Sequence, residues 1–146
     1  MIGSESSPLR LRPLLAWHTV LAVDDDPLTL SSIRRELNGE PYDVITTEQP
    51  TIALKWLDRR EISLAISDQR MPEMEGDLFL EEVWKKSPMT ARLLLTGYPE
   101  SVRAIPPSRR CLLKILTKPW DEWQLKATIR ELLFEQETPE GGEPRE

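Results

Sequence analysis

The sequence has 146 residues, a usual length for one globular domain, and its 39% hydrophobic content is enough for a core. The formal net charge of −6 argues against a nucleic-acid surface, which needs clustered Lys and Arg to neutralise phosphates. No apolar run approaches the about 20 residues that span a bilayer. We therefore expect neither a nucleic-acid nor a membrane partner.

Residues 1–17 precede the first predicted strand. The apolar residues of segment 9–17 are interrupted by two arginines and a proline, and no clean small-residue cleavage site follows. We interpret this part as an N-terminal extension rather than a targeting signal. At the other end, residues 137–146 are acidic and contain no large apolar side chain, so we expect a disordered tail. One domain is predicted between them, over residues 18–136.

Within that domain, short apolar runs alternate with amphipathic stretches. Strands are predicted at 20–23, 42–46, 63–67, 92–96 and 112–116. Helices are predicted from Pro27 to about Leu37 and at 51–60, 77–86 and 121–136. Asp26 as N-cap and Pro27 in the first turn begin the first helix. Buried strands each followed by a helix indicate an α/β fold, a five-stranded doubly wound parallel sheet with both faces covered.

Tryptophan and cysteine are read as packing residues. Trp56 and Trp84 lie on predicted core faces of helices, and for Trp120 and Trp123 packing is favoured over a partner surface. Cys111, the only cysteine, cannot form an internal disulfide, and no Cys/His cluster accompanies it. Its position in an apolar run predicts a buried structural thiol, which fits a reducing cytoplasm.

Polar residues follow four of the predicted strands. Asp24 and Asp25 follow the first, Asp68 the third and Lys118 the fifth, while Thr96 ends the fourth. Each alone is more simply a cap, a turn or a solvated residue. In doubly wound folds, however, ligands bind beyond the carboxyl ends of the strands, so the fold predicts that these residues meet.

Such a group would be suited to phosphoryl transfer. The carboxylates of Asp24, Asp25 and Asp68 exceed the single charge of Lys118, and a divalent cation would relieve their repulsion. Hard oxygen ligands suit Mg²⁺. A carboxylate can act as nucleophile and form an acyl phosphate, while Lys118 neutralises charge and the Thr96 hydroxyl donates to a phosphoryl oxygen.

Four segments carry a family resemblance. They are residues 20–27 (VLAVDDDP), 67–76 (SDQRMPEMEG), 95–98 (LTGY) and 116–120 (LTKPW). They resemble the signature segments of receiver domains of bacterial two-component response regulators, the group to which chemotaxis response regulators belong. The resemblance covers about residues 18–136 and implies a flavodoxin-like receiver fold.

The resemblance also implies roles. Asp68 would be the phosphoacceptor and a metal ligand. Asp24 and Asp25 would organise Mg²⁺, Asp25 more directly, with the backbone carbonyl of Arg70 as a further ligand. Thr96 would be the switch hydroxyl.

Lys118 would be the pocket lysine, and its bond to Pro119 is expected to be cis, which prolyl bonds tolerate.

Two features depart from the family pattern. Ile115 stands where an aromatic switch residue is usual, three residues before the pocket lysine, which puts coupling through ring rotation in doubt. In the stretch 101–110, where a fourth helix belongs, Pro106 and Pro107 stand together. Proline inside a helix costs about 3 kcal/mol or more. We therefore expect that helix to be shortened or remodelled.

These observations lead to three functional hypotheses. The first is a stand-alone receiver, phosphorylated on Asp68 by a sensor histidine kinase or phosphotransfer protein, that controls an unknown downstream protein in a phosphorelay. It would be a monomer or homodimer, and would catalyse only its own phosphorylation and dephosphorylation. The second is a constitutive interaction module that has lost its switch. The third, an enzyme or flavin carrier, is disfavoured because three aspartates after the first strand would repel a flavin phosphate and do not form a DxDx(T/V) motif.

Overall fold

The computed structural model describes residues 17–134. Its strands are β1 (His18–Val23), β2 (Tyr42–Thr47), β3 (Leu64–Asp68), β4 (Ala91–Thr96) and β5 (Leu113–Thr117). Its α-helices are α1 (Pro27–Glu36), α2 (Pro50–Arg59), α3 (Gly76–Lys86) and α4 (Glu122–Leu133). The predicted extension, apart from Trp17, and the predicted acidic tail lie outside the described residues. No helix in the described part is long and apolar enough to cross a membrane.

The five strands form one parallel sheet in the order β2-β1-β3-β4-β5. This confirms the predicted doubly wound architecture. The strand order reverses between β1 and β3, and crevices at such reversal points are the usual ligand sites of open α/β sheets. The ends of β1 and β3 are therefore the place where chemistry is expected.

Two hydrophobic clusters cover the two faces of the sheet. Helices α1 and α4 pack on one face, where Ile33 and Ile129 are fully buried. Helices α2 and α3 pack on the other face through residues such as Phe79. Leu93 and Leu94, neighbours in β4, belong to different clusters because successive side chains of a strand point to opposite faces.

Local sequence signals set the helix starts. Asp26 caps α1 as predicted, since its carboxylate accepts a hydrogen bond from the Leu28 amide at 3.0 Å. Asp121 and Gln124 form a reciprocal capping box at the start of α4. Helix α2 begins at Pro50, one residue before its predicted start.

The segment between β4 and β5 contains two short 3₁₀ turns, Pro99–Ser101 and Pro107–Arg109. No helix of several turns forms there. The prediction of a shortened or remodelled helix is confirmed. Pro106 has φ −58° and ψ 143°, an extended conformation, and is the N-cap of the second 3₁₀ turn, so the two turns do not join into one helix. Two consecutive prolines lack the amide donors that a longer helix would require.

Arginine side chains hold this segment against the domain. The buried Arg92 guanidinium donates to the carbonyl oxygens of Arg109 and Cys111 at 3.0 and 2.9 Å. Arg109 pairs with Glu81, and its guanidinium lies 4.4 Å from the centroid of the Trp84 ring. These contacts join the segment to β4 and α3 where helical hydrogen bonds are absent.

Two packing predictions are wrong. Cys111 is exposed, because it lies in a turn before β5, and Leu112 adopts a left-handed φ of 62° there. Trp123 is 75% exposed because it lies on the outer face of α4. By contrast, Trp120 packs against the first cluster and donates from Nε1 to Glu36 at 2.9 Å.

Gly76 marks the closest approach of α3 to the sheet. A Cβ placed on it would lie 2.0 Å from the Asp68 carbonyl oxygen and 2.9 Å from Leu94 Cδ1. We therefore expect Gly76→Ala to lower the free energy of unfolding by about 2 to 4 kcal/mol, measured by urea denaturation.

Gly39→Ala is the matched control. A Cβ on Gly39 would meet nothing within 4 Å, and only its φ of 94° opposes substitution. A loss of about 1 kcal/mol is expected there. Equal midpoints for Gly76→Ala and the unsubstituted protein would contradict the close approach.

Candidate functional site

The carboxyl ends of β1 and β3 place three aspartates together. Asp24 and Asp25 directly follow β1, and Asp68 is the last residue of β3. One carboxylate oxygen from each of the three lies within 4.8 Å of the other two. Asp24 is buried, Asp68 is half-buried and Asp25 is exposed, so the cluster opens to solvent on the Asp25 side.

Lys118 supplies the positive charge of the site. Its Nζ lies 3.0 Å from Asp68 Oδ1 and 3.5 Å from Asp24 Oδ2. The Lys118 amide donates to the carbonyl of Thr96 at 2.7 Å, which holds this residue at the end of β4. The Lys118–Pro119 bond is cis, as predicted.

Thr96 and the loop after it complete this edge of the sheet. Thr96 is buried, and its hydroxyl accepts a hydrogen bond from the Tyr98 amide at 2.9 Å. Beside it, the Arg70 guanidinium lies 3.9 Å from the centroid of the Tyr98 ring. The structure thus places Asp24, Asp25, Asp68, Lys118 and Thr96 at one edge. The assignment of the Arg70 carbonyl as a metal ligand stays a prediction.

Burial makes the site electrostatically costly. Loss of solvation raises the pKa of Asp24 from 3.8 to about 6, and the neighbouring charge of Asp68 adds to this effect. A hydrogen bond from the Asp26 amide and the charge of Lys118 oppose the increase. Burial lowers the pKa of Lys118, but its hydrogen bond to Asp68 and the charge of Asp24 outweigh that effect and raise it.

The donor set fits a hard divalent cation. Three carboxylates face one ammonium group, so the ionised cluster carries an excess of negative charge. Mg²⁺ is bound in proteins through one or two carboxylates together with water, and the exposed side of Asp25 leaves room for solvent. Asp24, Asp25 and Asp68 are the residues that would hold it.

Two residues, one in the loop after β3 and one in the loop after β4, were given no role by the sequence analysis. Gln69 is fully buried, and its side chain accepts from the Asp77 amide at 2.8 Å and donates to the Ser101 carbonyl at 3.3 Å. Tyr98 was quoted only as part of a motif. Position is the signal that could have found them, since both residues come one or two places after a strand end that carries a predicted site residue.

Comparison with known proteins agrees with this geometry. The family model described as response regulator receiver domain matches residues 20–130. The transcriptional regulatory protein GlrR of Escherichia coli is 35% identical over 120 residues, which are 82% of this chain and 27% of that protein. Among solved structures, the signal receiver domain of an HD domain-containing protein from Pseudomonas fluorescens is 29% identical, with a TM-score of 0.68 over 82% of this chain and 88% of the other.

A CheY-like response regulator receiver domain protein from Methanospirillum hungatei is 27% identical, with a TM-score of 0.68 over 82% of this chain and 96% of the other. The fold and the acidic edge thus define an α/β signalling domain of the receiver type. The chain belongs to the response regulator receiver domain family, whose members act as phosphorylation switches in two-component systems and interact with histidine kinases or phosphotransfer proteins. The chain spans about a quarter of the length of several curated relatives that it matches.

The elevated pKa of Asp24 predicts a pH-dependent stability in the presence of a chelator. Because the folded pKa of about 6 lies above the ordinary 3.8, the folded state binds the proton more tightly. The contribution of the protonated Asp24 carboxyl to the free energy of unfolding is therefore complete below about pH 4. It is lost as the pH rises through about 6. Asp24→Asn should raise the free energy of unfolding at pH 7.5 by about 1 to 3 kcal/mol and have little effect at pH 4.

The measurement is urea denaturation at both pH values in EDTA. Asp58→Asn is the control, since this carboxylate is exposed and pairs only at the surface with Lys86, where an ion pair contributes about 1 kcal/mol or less. A loss of stability in Asp24→Asn at pH 7.5 would contradict the electrostatic interpretation.

Proposed function

We propose that this domain accepts a phosphoryl group from the phosphohistidine of a kinase or phosphotransfer protein onto Asp68, in a reaction that requires Mg²⁺. The observation that carries the proposal is the position of the Asp68 carboxylate, 3.0 Å from Lys118 Nζ and within reach of two further carboxylates. The cluster lies at the point where strand order reverses, and it opens to solvent through the exposed Asp25.

The proposed reaction is a direct displacement. An oxygen of the ionised Asp68 carboxylate attacks the phosphorus, the nitrogen–phosphorus bond breaks, and the imidazole nitrogen keeps the electron pair and takes up a proton. No general base is needed, because the nucleophile is already ionised. Lys118 orients the carboxylate through its 3.0 Å hydrogen bond and offsets negative charge on the transferred group.

The remaining residues complete the environment. The Thr96 hydroxyl, held by the Tyr98 amide, is the donor proposed for a phosphoryl oxygen. Mg²⁺, when bound, would neutralise charge on the phosphoryl oxygens and on the carboxylates of Asp24 and Asp25. The chain would catalyse only its own phosphorylation and dephosphorylation. Its output would be altered binding to a downstream protein.

Labelling of Asp68 tests this proposal. With acetyl phosphate and Mg²⁺, we expect incorporation of one phosphoryl group, detected by intact mass, and loss of this signal in Asp68→Asn. EDTA should also abolish it.

Asp26→Asn is the matched control, because Asp26 belongs to the same acidic run but caps α1, and asparagine caps a helix equally well. Its labelling should equal that of the unsubstituted protein. Labelling that survives in Asp68→Asn would remove Asp68 from its proposed role.

A second candidate function is a constitutive interaction module. Ile115, at the position where relatives usually carry an aromatic residue, is 43% exposed, and the segment before β5 forms only two short 3₁₀ turns. A domain of this kind would keep the pocket but would not transmit its occupancy.

Binding of a phosphoryl mimic separates the two candidates. For a working switch, beryllium trifluoride with Mg²⁺ should change the hydrogen exchange of amides in residues 97–112 and the tryptophan fluorescence. Trp120 is a suitable reporter because it follows Lys118 and Pro119 directly and contacts Glu36. A mimic that binds, as shown by calorimetry, but changes neither signal would support the constitutive module.

A further inference from the structure

The side chain of Gln69 connects two elements that flank the proposed phosphorylation site. Gln69 directly follows Asp68, the last residue of β3, and is fully buried. Its Oε1 accepts a hydrogen bond from the Asp77 amide at 2.8 Å, and its Nε2 donates to the Ser101 carbonyl at 3.3 Å. One buried side chain therefore binds both the first turn of α3 and the first 3₁₀ turn of the segment between β4 and β5.

At the α3 end, Gln69 takes the place of a helix cap. The N-cap residue, Glu75, forms no side-chain capping bond in the described structure, so the amides of the first turn need acceptors from elsewhere. The Gln69 carbonyl accepts from the Gly76 amide at 2.9 Å, and the Gln69 side chain accepts from the Asp77 amide. Gly76 is also the point where α3 closely approaches the Asp68 carbonyl. A shift of the Asp68 backbone would therefore move Gln69 and the start of α3 together.

At the other end, the Ser101 carbonyl belongs to a turn that leads back to Thr96. The Ser101 amide and hydroxyl both donate to the Tyr98 carbonyl, at 2.9 and 2.7 Å. The Tyr98 amide in turn donates to the Thr96 hydroxyl at 2.9 Å. The bond from Gln69 thus attaches this turn to the loop of the proposed phosphoacceptor, in a segment that no long helix stiffens.

Burial makes these two bonds hard to break. The Gln69 amide uses its oxygen and its nitrogen on different elements, and neither atom has solvent as an alternative partner. Loss of the side chain would leave the Asp77 amide and the Ser101 carbonyl without their partner, which is unfavourable for groups shielded from water. The two elements are therefore expected to follow each other when either one moves.

We propose that Gln69 is a positioning residue that transmits the phosphorylation of Asp68 to the segment between β4 and β5. Ile115 stands where relatives usually carry the aromatic switch residue, and its side chain is 43% exposed. A buried amide next to Asp68 supplies a route that does not pass through this position. The inference rests on the proposed function, because it concerns the effect of the phosphoryl group that Asp68 accepts.

The added charge at Asp68 is what would act on this route. A phosphoryl dianion attracts the Lys118 ammonium group and the Thr96 hydroxyl more strongly than a carboxylate does. Any displacement of Asp68 passes to Gln69 through the chain, and any displacement of Thr96 passes through the following loop to Ser101. Because the Gln69 amide joins the two paths, α3 and the segment should shift as one unit.

Ion pairs of Arg103 offer a competing explanation. Its guanidinium pairs with Glu75 at 2.6 Å and with Asp77 at 2.8 Å, so it joins the same two elements at the surface. The Arg103 side chain is more than half exposed, and ion pairs of that kind contribute little because water screens them. Its backbone amide also donates to Asp77, and this bond persists in Arg103→Ala. That variant therefore separates the surface pairs from the buried amide.

The experiment compares backbone hydrogen exchange with and without saturating beryllium trifluoride and Mg²⁺. In the unsubstituted protein, we expect binding of this mimic to change the exchange rates of amides in residues 99–105 about fivefold or more. Gln69→Met keeps a side chain of similar size but removes both hydrogen bonds, and should reduce the change to less than about twofold. Arg103→Ala should keep most of it. The readout is a difference between two states of one variant, so a general loss of stability does not imitate the effect.

Gln124→Met is the matched control. The Gln124 side chain also accepts from a backbone amide at the start of a helix, that of Asp121 at 3.0 Å, but this helix is α4, which packs on the other face of the sheet. Its substitution should leave the response of residues 99–105 unchanged. Calorimetry establishes that each variant binds the mimic, and urea denaturation establishes that each is folded.

A second measurement uses the unsubstituted protein and therefore holds even if Gln69→Met does not fold. In an isotopically labelled sample, the buried side-chain amide of Gln69 is assigned by its proximity to protons of Asp77 and Ser101. Its resonances should shift when the mimic binds. The exposed side-chain amide of Asn38, in the loop before β2 at the opposite edge of the sheet, should not shift. Unchanged Gln69 resonances would contradict the inference.

The outcomes are distinguishable. If the unsubstituted protein takes up neither the phosphoryl group nor the mimic, the proposed function fails and the inference fails with it. If it takes up both but residues 99–105 do not respond, the role of Asp68 stands and the inference is overturned in favour of the constitutive module. If the response survives in Gln69→Met, only the role of Gln69 is overturned. Loss of the response in Arg103→Ala would then assign it to the surface ion pairs.

Discussion

Repulsion among three carboxylates at one edge of a parallel sheet is the constraint around which this domain is arranged. Asp24 and Asp68 each gain a contact with Lys118, but a single ammonium group leaves the ionised cluster with excess negative charge. Burial of Asp24 increases the cost, as its pKa of about 6 shows. Such a cluster favours the binding of a cation, because the cation relieves the repulsion among the carboxylates.

The surrounding fold holds the aspartates in place. Parallel pairing brings the ends of β1, β3 and β4 to one edge, and the register sets Asp68 opposite Leu95 and one residue from the level of Thr96. Gly76 lets α3 lie against the Asp68 carbonyl, and the buried Gln69 amide bridges the start of α3 to the β4–β5 segment. Asp68 is therefore packed from its backbone side, while its carboxylate faces Lys118.

The segment between β4 and β5 is held mainly by side chains rather than by regular backbone structure. Without a long helix, it depends on side-chain contacts, in which Arg92 binds two carbonyl groups and Arg103 pairs with Glu75 and Asp77. The two acidic partners of Arg103 lie on the loop before α3 and in its first turn, next to the proposed phosphoacceptor. A signal that leaves Asp68 through this loop would reach the segment directly, without an aromatic residue at Ile115.

Sequence alone determined the element order, the sheet type and the Asp26 cap. It also determined that no long helix forms between β4 and β5, and which residues meet at the site. These follow from apolar periodicity, proline chemistry and the rule that parallel strands end at one edge. Tertiary structure decided what depends on distant neighbours: the exposure of Cys111 and Trp123, the burial of Gln69 and the stacking of Arg70 on Tyr98. Such contacts join loops far apart in the chain, and no local pattern encodes which face of a turn a distant loop will cover.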